Sequence, residues 1–127
     1  MRFLLAGGGT GGHVNPLLAL AENLRSAGHE AIALGTKEGL EARLVPQRGF
    51  ELLTIARLPL PRKVSLAALA FPIRLVIASL RVLQIIKARK VQAVIGFGGY
   101  ASAPAYLGAW LAKVPIVVHE ANARAGF

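Results

Sequence analysis

The chain has 127 residues, 54% of them apolar, and a formal net charge of +9. That length and apolar fraction suit one folded domain, or one lobe of a larger protein, and argue against disorder. It has no cysteine and all its acids are glutamate, which excludes disulfides, thiolate metal sites, Asp-based metal motifs and a Ser-His-Asp triad within the chain.

Taken in order, residues 2–6 (Arg-Phe-Leu-Leu-Ala) predict a first strand, with no signal-peptide pattern ahead of it. Gly7-Gly8-Gly9-Thr10-Gly11-Gly12-His13 follows directly. A strand, a glycine-rich turn and a helix start in that order make an anion-binding corner, because glycines let the backbone approach an anion and the helix end adds free N–H groups. The first helix is expected from Asn15 as N-cap, with Pro16 at the first helical position, Leu17, Leu20, Ala21 and Leu24 as its apolar stripe, and Gly28 as its end. Residues 30–34 predict a second strand. A short second helix is firmest over 41–45 and is expected to stop at Pro46. Residues 51–55 predict a third strand, and 56–64 a proline-broken basic loop. A long helix over 65–89 is expected to kink or break at Pro72. Residues 91–95 predict the fourth strand, followed by a second glycine loop, Gly96-Phe97-Gly98-Gly99-Tyr100. A helix over 102–112, a strand over 116–119 and a loop-like tail complete the chain.

The uncharged stretch 91–112 is long enough to span a bilayer, but Gln92, the glycines of 96–99, Ser102 and Pro104 interrupt it, so it is not read as a transmembrane helix. Strands alternating with helices imply an α/β fold, Rossmann-like, with a mainly parallel sheet and helices on both faces. The apolar fourth and fifth strands fit burial on both faces. Right-handed crossovers give the order 3-2-1-4-5, which places strands 1 and 4 side by side and the ligand crevice outside their C-terminal ends. Both glycine loops leave those two ends, so they are expected to face one anionic group.

Charge is unevenly spread. Residues 1–51 balance five basic side chains against five acids, whereas 52–119 hold nine basic side chains and no acid. A basic middle segment implies an anionic partner or a solvated helix face. Read as a membrane-surface patch, Leu58, Leu60, Leu66, Leu69 and Phe71 enter the headgroup region while Arg57, Arg62, Lys63 and Arg74 meet lipid phosphates. Nucleic acid fits poorly, since stacking aromatics are few in this stretch and no nucleic-acid module is visible. Tyr106 and Trp110, four apart on one helix, read as core or interface.

Gly7, Gly9 and Gly12 satisfy the dinucleotide pattern G-x-G-x-x-G, but strand 2 ends Leu34-Gly35-Thr36 without the acid that would hold a ribose, which speaks against a nucleotide-binding oxidoreductase. His13 stands where the glycines stop. It is either a structural residue bonding the turn or a general base, and its place at a strand-end crevice and an imidazole's reference pKa of ~6.5 favour the base. His119 and Glu120 end strand 5 at the same edge and either line the crevice or fix their loop; His29 falls at the opposite edge.

Together, Gly8-Gly9-Thr10-Gly11-Gly12-His13, Leu34-Gly35-Thr36, Leu44-Val45-Pro46, Gly96-Phe97-Gly98-Gly99-Tyr100-Ala101-Ser102 and His119-Glu120-Ala121-Asn122-Ala123 resemble the N-terminal domain of the MurG family, the peptidoglycan N-acetylglucosaminyltransferases. The resemblance covers essentially all of residues 1–127, with Ala121 standing where the family usually has glutamine. It implies the acceptor-binding N-terminal lobe of an inverting GT-B glycosyltransferase that moves GlcNAc from UDP-GlcNAc to the C4 hydroxyl of the MurNAc-pentapeptide of lipid I, giving lipid II. The loops Gly8–Gly12 and Gly96–Tyr100, the latter with Gly98, Gly99 and Tyr100, would face the acceptor diphosphate. Thr10, Gly11 and Gly12, with Asn122 nearby, would also meet the donor. His13 would be the general base, and residues 57–81 the contact with an anionic membrane. The implied setting is peripheral, on the cytoplasmic face of the bacterial inner membrane. No cofactor or metal is implied, in keeping with the lack of an Asp-x-Asp clamp. The donor lobe lies outside this sequence, so the 127 residues alone are expected to be inactive. A membrane-anchoring acceptor subunit of a split glycosyltransferase is the alternative.

Overall fold

The computed structural model of the chain describes residues 1–7, 11–37, 39–55, 66–98 and 102–118, and of residues 11–13 and 66–69 the backbone alone. Five strands form one sheet in the order β3-β2-β1-β4-β5. They are β1 (Arg2–Ala6), β2 (Glu30–Gly35), β3 (Glu51–Thr54), β4 (Ala93–Gly96) and β5 (Ile116–Val118). Every pairing is parallel, with Ala6 level with Leu34 on one side and with Gly96 on the other. The helices are α1 (Gly11–Ser26), α2 (Glu41–Gln47), α3 (Leu66–Arg89) and α4 (Ser102–Ala112). The expected Rossmann-like order is thus the observed one.

Strand alternation divides the core in two. Leu4, Ala6, Ile32, Leu34 and Val94 turn to the face covered by α3 and α4, where they meet Ala78, Val82, Ile86, Ala105 and Ala109. Leu5, Ala33 and Ile95 turn to the other face and meet Val14, Leu17, Leu18 and Ala21 of α1 and Val45 of α2.

Three proline positions depart from the local rule. α1 begins at Gly11 rather than Asn15, so Pro16 lies inside it. Val14 explains this: it is fully buried and completes the stripe 14, 17, 18, 21, so tertiary burial forces the helix upstream of the proline, at the cost of the one hydrogen bond that Pro16 cannot donate. α2 likewise runs through Pro46, since buried Val45 anchors it; just past its end, Gly49 with a φ of 82° reverses the chain while the Phe50 amide bonds the Val45 carbonyl. α3 is continuous across Pro72, which is exposed.

β5 also differs from expectation. Ile116, Val117 and Val118 are 39%, 51% and 57% exposed, whereas β4 is buried throughout. β5 is the edge strand, and the two layers that bury β4 do not close over it.

At the N-terminal edge of the sheet, Arg2 pairs with Glu30 at 3.0 Å and also donates to the Arg89 carbonyl, capping the end of α3. Arg89 in turn pairs with Glu51, whose hydrogen bonds and charge raise its pKa. His29 lies at this edge as expected, edge-on to Phe3 and accepting from the N-terminal ammonium at 3.0 Å. An open groove of about 400 Å³ runs between these groups. Arg2 is matched to Glu30 and Arg89 to Glu51 there, Arg25 stacks on Phe50, and the groove lies at the other end of the strands from the glycine loops.

Candidate functional site

In a doubly wound parallel sheet a ligand crevice is expected outside the C-terminal ends of the strands where the order reverses, here β1 and β4. The Phe97 amide donates to the Ala6 carbonyl at 2.7 Å, and the Gly7 amide donates to the Leu34 carbonyl at 3.1 Å. These bonds carry the parallel ladder one residue past the strands and bring the starts of both glycine loops together. A Cβ on Gly7 would stand 3.0 Å from Phe97 Cβ and 3.4 Å from the Gly98 carbonyl, so glycine is what lets the two loops touch. Gly98 has a φ of 91°, a left-handed conformation that glycine adopts without strain.

Ser102, the first residue of α4, ties the loops from beneath. Its buried hydroxyl donates to the Gly98 carbonyl at 2.8 Å and lies 3.5 Å from the Ala6 carbonyl. Tyr106 fills the space over Gly96, where any Cβ would overlap the phenol. The sequence assigned Ser102 no role and read Tyr106 only as core or interface. The contact from Ser102 back to Gly98 spans only four residues, but a helix-start serine ordinarily points forward to cap its own helix.

The expected site residues fall as follows. Gly11, Gly12 and His13 form the first turn of α1 at this same edge. Amides in a first helical turn have no acceptor within the helix and are therefore available to an anion. The helix start at Gly11 strengthens the corner, because a start at Pro16 would have put a residue without an N–H among those donors. Gly98 lies on the second loop, beside Gly7. Thr10, Gly99, Tyr100, His119, Glu120 and Asn122 lie outside the described residues, as do Arg57, Leu58, Leu60, Arg62 and Lys63. Leu66 and Leu69 lie on α3, with only their backbone described.

The remaining membrane-patch residues divide. Arg74 is exposed, but Phe71 is half-buried and packs on the core beneath α3. Among the described side chains of α3, the large apolar ones turned outward are Ile73, Val76, Ile77 and Leu80, between 46% and 64% exposed. Their spacing of i, i+3, i+4, i+7 makes one stripe, on the side of the helix away from Ala78, Val82 and Ile86. On α4, Trp110 is 71% exposed, with Leu107 and Leu111 beside it, so Trp110 is a surface residue rather than a core one. Arg81 is exposed and donates to the Thr54 carbonyl at 3.1 Å. Among the described residues no helix is long and apolar enough to cross a membrane.

Comparison with known proteins agrees with this geometry. The glycosyltransferase family 28 N-terminal domain matches residues 3–127. The chain is 58% identical over 126 residues to the UDP-N-acetylglucosamine--N-acetylmuramyl-(pentapeptide) pyrophosphoryl-undecaprenol N-acetylglucosamine transferase of Leifsonia xyli subsp. xyli, covering 98% of this chain and 35% of that protein. It is 54% identical over 125 residues to the protein of the same name from Tropheryma whipplei, again covering 98% of this chain and 35% of the relative. The crystal structure of Acinetobacter baumannii MurG superposes with a TM-score of 0.82 at 34% identity, over 99% of this chain and 36% of that one. The chain therefore spans about a third of the length of these relatives.

Proposed function

The chain belongs to the glycosyltransferase family 28 N-terminal domain family, and from that premise we propose that it is the acceptor lobe of an enzyme that transfers GlcNAc from UDP-GlcNAc to the C4 hydroxyl of lipid I. The observation that carries this reading is the contact between the two glycine loops, Gly7 against Phe97 and Gly98, at the mouth of the parallel sheet. Two such loops and the first turn of α1 make a diphosphate cradle, and a lipid-linked sugar diphosphate presents that group.

In this reading His13 takes the proton of the acceptor C4 hydroxyl as its oxygen attacks C1 of GlcNAc. The bond from C1 to the diphosphate oxygen breaks on the opposite face, UDP leaves, and the anomeric configuration inverts. Thr10, Gly11, Gly12 and Asn122 meet the donor across the cleft, and Gly98, Gly99 and Tyr100 meet the acceptor diphosphate. In this reading most of the donor contacts belong to a second lobe.

The membrane contact is the outward side of α3 and α4. Ile73, Val76, Ile77 and Leu80, with Leu107, Trp110 and Leu111, enter the headgroup region, and Arg74 with the basic loop of Arg57, Arg62 and Lys63 meets anionic lipid. In this reading the enzyme sits peripherally on the cytoplasmic membrane face, where its lipid acceptor is held.

The test is GlcNAc transfer by the full-length protein to lipid I, compared with an acceptor of the same sugar and peptide lacking the diphosphate. The reading predicts loss of transfer with the second acceptor. Equal rates would contradict the cradle.

A further inference from the structure

Resting on the acceptor-lobe reading, we propose that Glu41 is a positioning residue that holds Thr36, where the chain leaves β2 beside the acceptor crevice. The sequence shows no acid at the end of β2, yet the structure brings one there. Glu41 opens α2, is 1% exposed, and lies against the last residue of β2. Its Oε2 accepts from the Thr36 amide at 2.8 Å and from the Thr36 hydroxyl at 3.2 Å. Thr36 is itself 3% exposed. A Cβ on either Gly35 or Gly39 would overlap the Glu41 carboxyl group, so both glycines are shaped around it.

A carboxylate buried to this degree is costly unless it is hydrogen-bonded, and an apolar side chain would fill the same space at less expense. What the carboxylate adds is direction: charge-assisted bonds to one amide and one hydroxyl fix how the chain leaves β2. The same strand end is tied to the crevice. The Gly35 carbonyl accepts from the Ile55 amide at 2.9 Å, and the Leu34 carbonyl accepts from Gly7, the first residue of the first glycine loop. In dinucleotide folds an acid at this place turns outward to a ribose. Here it turns inward to Thr36, and Lys37 is the exposed charged residue that follows the strand.

The test uses the full-length protein and the variants Glu41→Gln, Thr36→Val and Thr36→Ser. Thr36→Val and Glu41→Gln are each expected to raise the KM for lipid I about tenfold, roughly the worth of one charge-assisted bond, while kcat and the KM for UDP-GlcNAc stay near wild type. Thr36→Ser, which keeps both donors, should behave as wild type. In Glu41→Gln the Thr36 amide should also exchange faster with solvent, without loss of protection in β1 and β4. A lowered Tm with both KM values unchanged would overturn the proposal, leaving Glu41 a packing residue. If Glu41→Gln does not fold, the Thr36→Val and Thr36→Ser pair decides. If the wild type does not use lipid I, the acceptor reading falls separately; faster Thr36 exchange then still supports the clasp, and unchanged exchange overturns it.

Discussion

On the α1/α2 side of the sheet, the outward residues include Asn15, Asn23, Arg25, Arg43 and Gln47, and Leu40, at 36%, is the large apolar side chain exposed there among the described residues. On the α3/α4 side the large apolar side chains exposed among the described residues are Ile73, Val76, Ile77, Leu80, Leu107, Trp110 and Leu111, beside the exposed Arg74, Arg81 and Lys87. Inside, the two layers are built alike, from alternate residues of the same strands. The difference therefore is not a by-product of core packing. One outward side carries a single large exposed apolar residue among those described and the other carries seven, and exposed apolar surface is a feature of interaction sites. Charge follows the same division: the five acids of residues 1–51 have no counterpart in 52–119. A surface that is apolar, basic and free of acids suits an anionic membrane.

If the interiors are equivalent, cavities should cost the same on either side. Leu18→Ala beneath α1 and Ile86→Ala beneath α3 should each lower stability by about 2–5 kcal/mol, read by urea unfolding. A cost on one side only would break the comparison. The surfaces, by contrast, should respond differently. In the full-length protein, Ile77→Glu should reduce binding to anionic vesicles by roughly 10–100-fold, from about 1.5–3 kcal/mol of lost apolar burial, with little change in Tm. The matched change Asn23→Glu on α1 should leave vesicle binding within about twofold, since its face does not meet lipid. A smaller effect is expected from Arg74→Gln, about 1 kcal/mol or roughly fivefold in vesicle binding, and it should shrink as added salt shortens the screening length. Salt-independent binding would remove the electrostatic part.

The sheet order and the crevice were legible because glycine turns and apolar runs punctuate the chain regularly. Gly7 and Gly98 needed no tertiary information to be placed at one edge. The start of α1 was not legible, because Asn15-Pro16 is a good local helix start and only the burial of Val14 overrides it. α3 is apolar on two sides, so its pattern could not say whether Phe71 or Ile73 turns inward. β5 has the composition of a buried strand and lies at an edge. Glu41 was hidden for a different reason: five residues past Thr36, it reads as an acid in a first helical turn, and only the fold turns its carboxylate back to the strand.

The central claim is that Gly7–His13 ends in the base that activates the acceptor. It is tested most directly by His13→Ala in the full-length protein, with kcat and UDP-GlcNAc binding measured on the same preparation. The account predicts a fall in kcat of about 10²–10⁴-fold, the range for losing a general base, with UDP-GlcNAc binding retained. Wild-type turnover by the variant, or loss of donor binding in step with kcat, would contradict it.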